Sequence, residues 1–220
     1  MDKQFLPLSG SLYVFVKKNN ILQLYEPHDG KQLELFLILE EGAQVEYISG
    51  HFETLDLRVT LHERALFTQK FLCKNAEKRN QTFVLAGKQA QVLVRGAYHF
   101  TKDSCGFFTV IQLHTAPYTK SLVEIKTVLD GKARFEYHGK IRIEPTACNS
   151  NAHQENKNII LSQEAKALSI PSLEALTNDV QCGHGSAISY ISEDHLFYLA
   201  SRGITRSQAT EMIIQGFLQS

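Results

Sequence analysis

The segment Val180-Gln181-Cys182-Gly183-His184-Gly185-Ser186-Ala187 is where residue types and spacing best suit chemistry. In a strand, residues two apart leave the same face, so Cys182 and His184 would project together. A thiolate beside an imidazole can ligate iron or zinc, or carry sulfur. The same pair also reads as a small buried hydrophobe and a turn-capping histidine. Two ligands fall short of the four that a structural zinc site or an iron–sulfur cluster takes, so a metal held here would need ligands from a partner chain. Cys73 and Cys105 lie beside strand-like runs and read as packing residues. Cys148 with His153 fits no standard metal spacing.

Other signatures of catalysis are missing. The sequence holds no phosphate-binding glycine loop, no dinucleotide fingerprint, no nucleophile elbow and no zincin helix. Carboxylates are scattered over solvent-facing positions, so a glycosidase-like pair would need distant strands to bring it together. The 23 Lys+Arg against 23 Asp+Glu argue against a broad basic surface for nucleic acid. With 43% apolar and 21% charged residues, the chain has the composition of a globular protein. No apolar run approaches the ~20 residues of a membrane helix, and no basic-then-apolar leader opens the chain. Four widely spaced cysteines read as reduced thiols in a cytoplasmic protein.

The elements that must position Cys182 and His184 are mostly strands. Leu33, Leu35, Leu37 and Leu39 alternate with Glu34, Phe36 and Ile38; Leu55, Leu57, Val59 and Leu61 alternate with Asp56, Arg58, Thr60 and His62. Further strands read at Tyr13–Val16, Gln89–Val94, Phe107–Leu113, Leu122–Leu129, Arg134–Tyr137 and Lys140–Glu144. Turn signals stand at Lys17–Asn20, His28-Asp29-Gly30, Glu41-Gly42, Asp130-Gly131 and His138-Gly139. The polar run Cys148–Asn158 reads as a loop or a solvated turn face, with strand patterning resuming at Ile159. So much strand fits a solenoid, a sandwich or a barrel, and without a strict repeat the alternation does not choose between them.

Only the last thirty residues change period. Ser192 is placed to N-cap Glu193–Ala200, with two acids in the first turn. Gly203 supplies a stop, and Thr205-Arg206-Ser207-Gln208 matches a capping box. Ala209, Met212, Ile213, Gly216 and Phe217 then form one apolar stripe, which could be core or a docking surface. The expected organisation is a β domain over 1–191 and a helical segment over 192–220.

The order Pro171-Ser172-Leu173-Glu174, Asn178-Asp179-Val180-Gln181-Cys182-Gly183-His184-Gly185, Leu196-Phe197-Tyr198-Leu199, Ser201-Arg202-Gly203-Ile204 and a closing Gly216-Phe217 resembles the C-terminal signature of the SufB/SufD family of iron–sulfur cluster assembly proteins. Gln154–Ser162 also looks like the family's segment just upstream, so the likeness covers about residues 145 to 220. Cys182-Gly183-His184-Gly185 is similar to the SufD type more than to SufB. Gly183, Ser186 and Asn178 stand where the family usually has Ser, Ala and Asp. The family's helical N-terminal region has no counterpart in Asp2–Ser11, so a shortened member is expected.

The resemblance implies an all-β fold, a right-handed parallel β-helix followed by a short helical region. It implies a non-enzymatic subunit of a SufBCD-type complex. Such a subunit pairs with a SufB-like partner near Cys182 and His184 and docks the ATPase SufC through its C-terminal helices. It further implies Cys182 and His184 as tentative metal ligands shared with the partner chain, and Phe197, Tyr198, Arg202 and Phe217 as dock residues. No cofactor is expected to stay on the chain alone, but a transient iron–sulfur cluster at the partner interface is. A homodimer in isolation, a SufB-like homodimeric scaffold and a β-helical carbohydrate-active enzyme are the alternatives. No nucleic-acid or membrane partner is expected.

Overall fold

A computed structural model describes residues 2–26, 30–48 and 50–219. Its strands are β1 (Asp2–Phe5), β2 (Gly10–Val16), β3 (Ile21–Tyr25), β4 (Gly30–Leu39), β5 (Gln44–Ile48), β6 (Phe52–Leu61), β7 (Leu66–Cys73), β8 (Glu77–Leu85), β9 (Gln91–Phe100), β10 (Cys105–His114), β11 (Lys120–Leu129), β12 (Arg134–Ile143), β13 (Ser150–Ile160), β14 (Lys166–Ala175) and β15 (Val180–Tyr190). Two helices follow, α1 (Glu193–Ser201) and α2 (Arg206–Gln219). Odd strands form one eight-stranded sheet and even strands one seven-stranded sheet, and every pairing is parallel. Successive strands alternate between the sheets, so the chain winds as a parallel β-helix, and the solenoid reading stands over the sandwich.

The repeat escapes a search of the sequence because its length drifts. Leu33 pairs with Leu55 and Thr54 with Lys78, 22 and 24 residues on, whereas Cys105 pairs with Arg134 and Arg134 with Lys166, 29 and 32 on. One corner nevertheless keeps the same geometry throughout. Asn19, Gly42, Arg64, Gln89, Tyr118 and Asn149 all have positive φ, and the N–H of each donates to a carbonyl of the following turn (Glu41, Glu63, Lys88, Pro117, Cys148 and Asp179). Five of the six positions carry side chains that favour negative φ, so a stacked ladder of corner hydrogen bonds must hold them there.

Alternation puts Leu33, Leu35, Leu37 and Leu39, and Leu55, Leu57, Val59 and Leu61, inside, as expected. Aromatic rings continue the interior, with Phe67 5.3 Å from Phe83 and Tyr98 5.2 Å from Phe135. Two expectations are corrected. The run 148–158 is mainly strand, not a solvated turn: β13 carries Ser150, Gln154, Asn156 and Asn158 into the interior, where they are buried. His138-Gly139 is not a turn either, because β12 runs unbroken from Arg134 to Ile143. A Cβ at Gly139 would lie 2.4 Å from Gln154 Oε1 and 2.6 Å from the Tyr137 hydroxyl, so glycine lets β12 approach these groups. The turns at Lys17–Asn20, Glu41-Gly42 and Asp130-Gly131 are present, while His28 and Asp29 lie outside the described residues.

Candidate functional site at the open end of the β-helix

Among the described residues, β14 pairs only with β12 and β15 only with β13, so the last turn leaves both sheet edges open. Register fixes which way the Cys-x-His residues face. Cys182 pairs with Ala152 and His184 with Gln154, and both of those side chains are buried inside the helix. Cys182 and His184 therefore belong to the inward face, about 6.6 Å apart along the strand. Both are exposed because no further turn covers them. Gly183 and Gly185 fall on the outward face, beside His153 and Glu155.

The interior under these residues is polar. Gln154 accepts hydrogen bonds from Gln112 Nε2 at 3.4 Å and from the Tyr137 hydroxyl at 3.3 Å, and donates to the Ser172 carbonyl at 3.3 Å. Asn156 Nδ2 donates to the Ile125 carbonyl at 3.1 Å, and Asn158 Nδ2 to Asn156 Oδ1 at 2.8 Å. Deeper in, His114 sits between Thr119 Oγ1 at 2.7 Å and Ser121 Oγ at 2.8 Å, and Thr119 joins Ser150 Oγ at 2.7 Å. Burial pulls the His114 pKa down to about 4.

Leu168 and Ile170 on β14, Ile188 and Tyr190 on β15 and Leu176 between them are exposed. Open parallel edges with apolar side chains are surfaces that other proteins cover. Among the described residues, Cys182 and His184 belong to no group of three metal-capable side chains. All four cysteines are free. Cys73 is buried, Cys105 and Cys148 are half-buried, and Cys182 is exposed.

The helices follow the capping signals in part. Ser192 takes the N-cap position of α1 without a side-chain hydrogen bond, and Gly203 ends the helix at φ +80°. In the capping box, Thr205 N–H donates to Gln208 Oε1 at 3.1 Å and Gln208 N–H to Thr205 Oγ1 at 3.4 Å. α2 buries Ala209 and Ile214, and Ile214 packs on Val128 and Ile159 with Phe217 and Leu218 alongside. Met212, counted in the apolar stripe, is instead 54% exposed. Phe217 is half-buried against the β-helix with Lys126 Nζ 5.7 Å from its ring, so it serves the helix's own packing. Phe197 and Tyr198 are 76% and 58% exposed, and the Arg202 guanidinium lies 5.4 Å from the Tyr198 ring. Among the described residues, no helix is long and apolar enough to cross a membrane.

Among the buried groups that sequence reasoning missed is Arg79, whose guanidinium is paired with both Glu26 and Glu77. Its only signal is a charged residue on the inward side of β8, a segment whose alternation is masked by Glu77 and Gln81.

Comparison with known proteins places the chain in a family. The family model described as SUF system FeS cluster assembly, SufBD core domain, matches residues 37–217. The iron–sulfur cluster assembly protein SufD of Escherichia coli K12 is 28% identical over 172 residues, 77% of this chain and 40% of that protein. SufBD family proteins of Staphylococcus saprophyticus and of Staphylococcus aureus MRSA252 are 24% identical over 260 aligned positions, covering 96% of this chain and 56% of each relative. The chain thus spans about half the length of the curated relatives it matches. Over most of its length, from the apolar turns to α2, it belongs to the SufBD core domain family of iron–sulfur cluster assembly proteins.

Proposed function

We propose that the chain is a SufD-like, non-enzymatic scaffold subunit. In this reading it pairs end to end with a SufB-like subunit and contributes Cys182 and His184 to a site where an iron–sulfur cluster is assembled as cargo. The observation that carries the reading is the placement of both side chains on the inward face of an uncovered last turn, above a hydrogen-bonded polar interior. A partner strand laid along β14 and β15 would satisfy their free backbone groups, cover Leu168, Ile170 and Ile188, and bring the missing ligands. α1 and α2 dock the ATPase SufC, with Phe197, Tyr198 and Arg202 forming the contact surface. The four unpaired thiols suit a reducing, cytoplasmic setting.

The test is anaerobic co-purification with the cognate SufB and SufC, followed by iron and sulfide analysis. His184→Ala should lower the cluster yield of the complex clearly more than Cys105→Ser, with the complex itself intact. Equal, wild-type-like yields would remove the site assignment. Truncation at Ser192 should abolish co-elution with SufC, and co-elution that survives it would refute the dock. Catalysis by the isolated chain on a polysaccharide would overturn the scaffold reading altogether.

A further inference from the structure

A second cluster lies far from the open end, at the corner where β5 leads into β6 and β7 into β8. His51 stands just before β6, Cys73 closes β7 and Glu77 opens β8. Cys73 Sγ is 3.2 Å from Glu77 Oε2 and 3.7 Å from His51 Nδ1, and His51 Nδ1 is 3.5 Å from the same Glu77 oxygen. Three donors of three kinds, nitrogen, sulfur and oxygen, thus converge on one point. From these residues we infer that the chain holds a transition-metal site of the zinc class, ligated by His51, Cys73 and Glu77.

Three observations carry the assignment. The first is geometric. Tetrahedral zinc, bonded at about 2.3 Å to sulfur and about 2.0–2.2 Å to nitrogen and oxygen, separates its ligands by about 3.3–3.6 Å. Of the three separations, 3.5 Å falls within that range and 3.2 and 3.7 Å lie just outside it, so the ligands need to move only by tenths of an ångström. The donor set favours zinc, cobalt or ferrous iron over magnesium or calcium, which take oxygen ligands.

The second is the support around Glu77. The Arg79 guanidinium bridges the buried carboxylates of Glu26 and Glu77. A bound divalent ion takes Cys73 as thiolate and His51 as the neutral imidazole that a metal ligand must be. Arg79 Nε holds Glu77 Oε1 and leaves Oε2 to face the cysteine and histidine, the usual outer support of a ligating carboxylate. Burial and the neighbouring Glu77 push the Cys73 thiol up to about 12, so metal binding must release its proton.

The third is the Tyr98 hydroxyl. It is fully buried beside Glu77 and Cys73, and among the described residues no group meets it in ordinary hydrogen-bond geometry. A polar group so poorly served in a dry interior is costly, and a metal-bound water in the fourth position would accept or donate to it. His51 is the one ligand at the surface, so an ion enters past its ring. The site lies four strands from Cys182, about 19 Å along the axis, so the two sites are separable by experiment.

The test uses the full chain carrying Cys105→Ser, Cys148→Ser and Cys182→Ser, which leaves Cys73 as its only thiol. Cobalt(II) added to this chain should bind one equivalent and give thiolate-to-cobalt charge-transfer absorption, with zinc displacing it and a large excess of magnesium or calcium leaving it unchanged. His51→Gln, at the rim and harmless to packing, should weaken binding by at least about 100-fold, the upper end of what an outer support costs. Tyr98→Phe should weaken it by about 10-fold. Absence of the charge-transfer band would overturn the site. A band that persists in His51→Gln would place the metal elsewhere and overturn it equally.

Discussion

The early and late turns of this β-helix share one backbone and fill it differently: the early interior is mostly apolar apart from Gln69, Gln81 and the group around Arg79, and the late interior is richer in polar side chains. One interior column runs Val45, Phe67, Val92, Ser121, Ala152, Cys182, and the next runs Tyr47, Gln69, Val94, Val123, Gln154, His184. Backbone hydrogen bonds between turns are indifferent to what fills the interior, so the same ladder accepts either content. The energetics differ. A fully buried Leu or Phe contributes about 1.5–3 kcal/mol by leaving water, whereas a satisfied buried hydrogen bond contributes only about 0.5–1.5 kcal/mol net. The early turns therefore anchor the molecule. The late turns exchange stability for a polar path that ends under Cys182 and His184, and they should open at lower free energy.

Three measurements can break or sharpen this contrast. Phe83 is fully buried against Phe67 in the early turns, so Phe83→Ala should cost about 4 kcal/mol in urea unfolding, transfer and cavity terms together. A loss under 1 kcal/mol would mean that the apolar turns do not carry the fold.

The second concerns pH. The folded-state pKa of His114 is about 4, below its ordinary 6.5, so the unfolded chain binds the proton more readily. Its contribution is complete above about pH 6.5 and is lost as pH falls toward 4, about 3 kcal/mol in all. His114→Gln should flatten the stability profile between pH 7 and 4. Superimposable profiles for the two chains would acquit His114.

The smallest effect is expected at Gln154. Replacing it by Met keeps the volume but strands Gln112, the Tyr137 hydroxyl and the Ser172 carbonyl, at a cost of about 2 kcal/mol. If Gln154→Met proves more stable than the parent while its complex yields less cluster, the polar interior serves function alone.

Where alternation was clean, the sequence was legible. Leu33–Leu39 and Leu55–Leu61 face inward as their period of two demands, and the Thr205–Gln208 capping box forms as its residue types require. Where the interior is polar, legibility failed for one reason. Ser150, Gln154, Asn156 and Asn158 read as solvent-facing because the ordinary code equates polar with outside, yet each is buried. Gly139 read as a turn because glycine marks turns more often than close packing inside a strand. A helical stripe does not say which surface it will meet, and only the tertiary structure half-buries Phe217 against the β-helix.

The Cys-x-His pair and its common face were determined by sequence alone, since two-residue spacing in a strand leaves no other choice. The apolar periodicity likewise determined strands throughout and helices at the end. Only the tertiary structure decided that the shared face of Cys182 and His184 points inward onto an uncovered rung, because that depends on register with β13. It alone joined His51, Cys73 and Glu77, which stand 22 and 26 residues from the first to the second and third in sequence, about one turn of the helix apart. Residues one winding apart become neighbours through pairing across turns of drifting length, and no local pattern records that length.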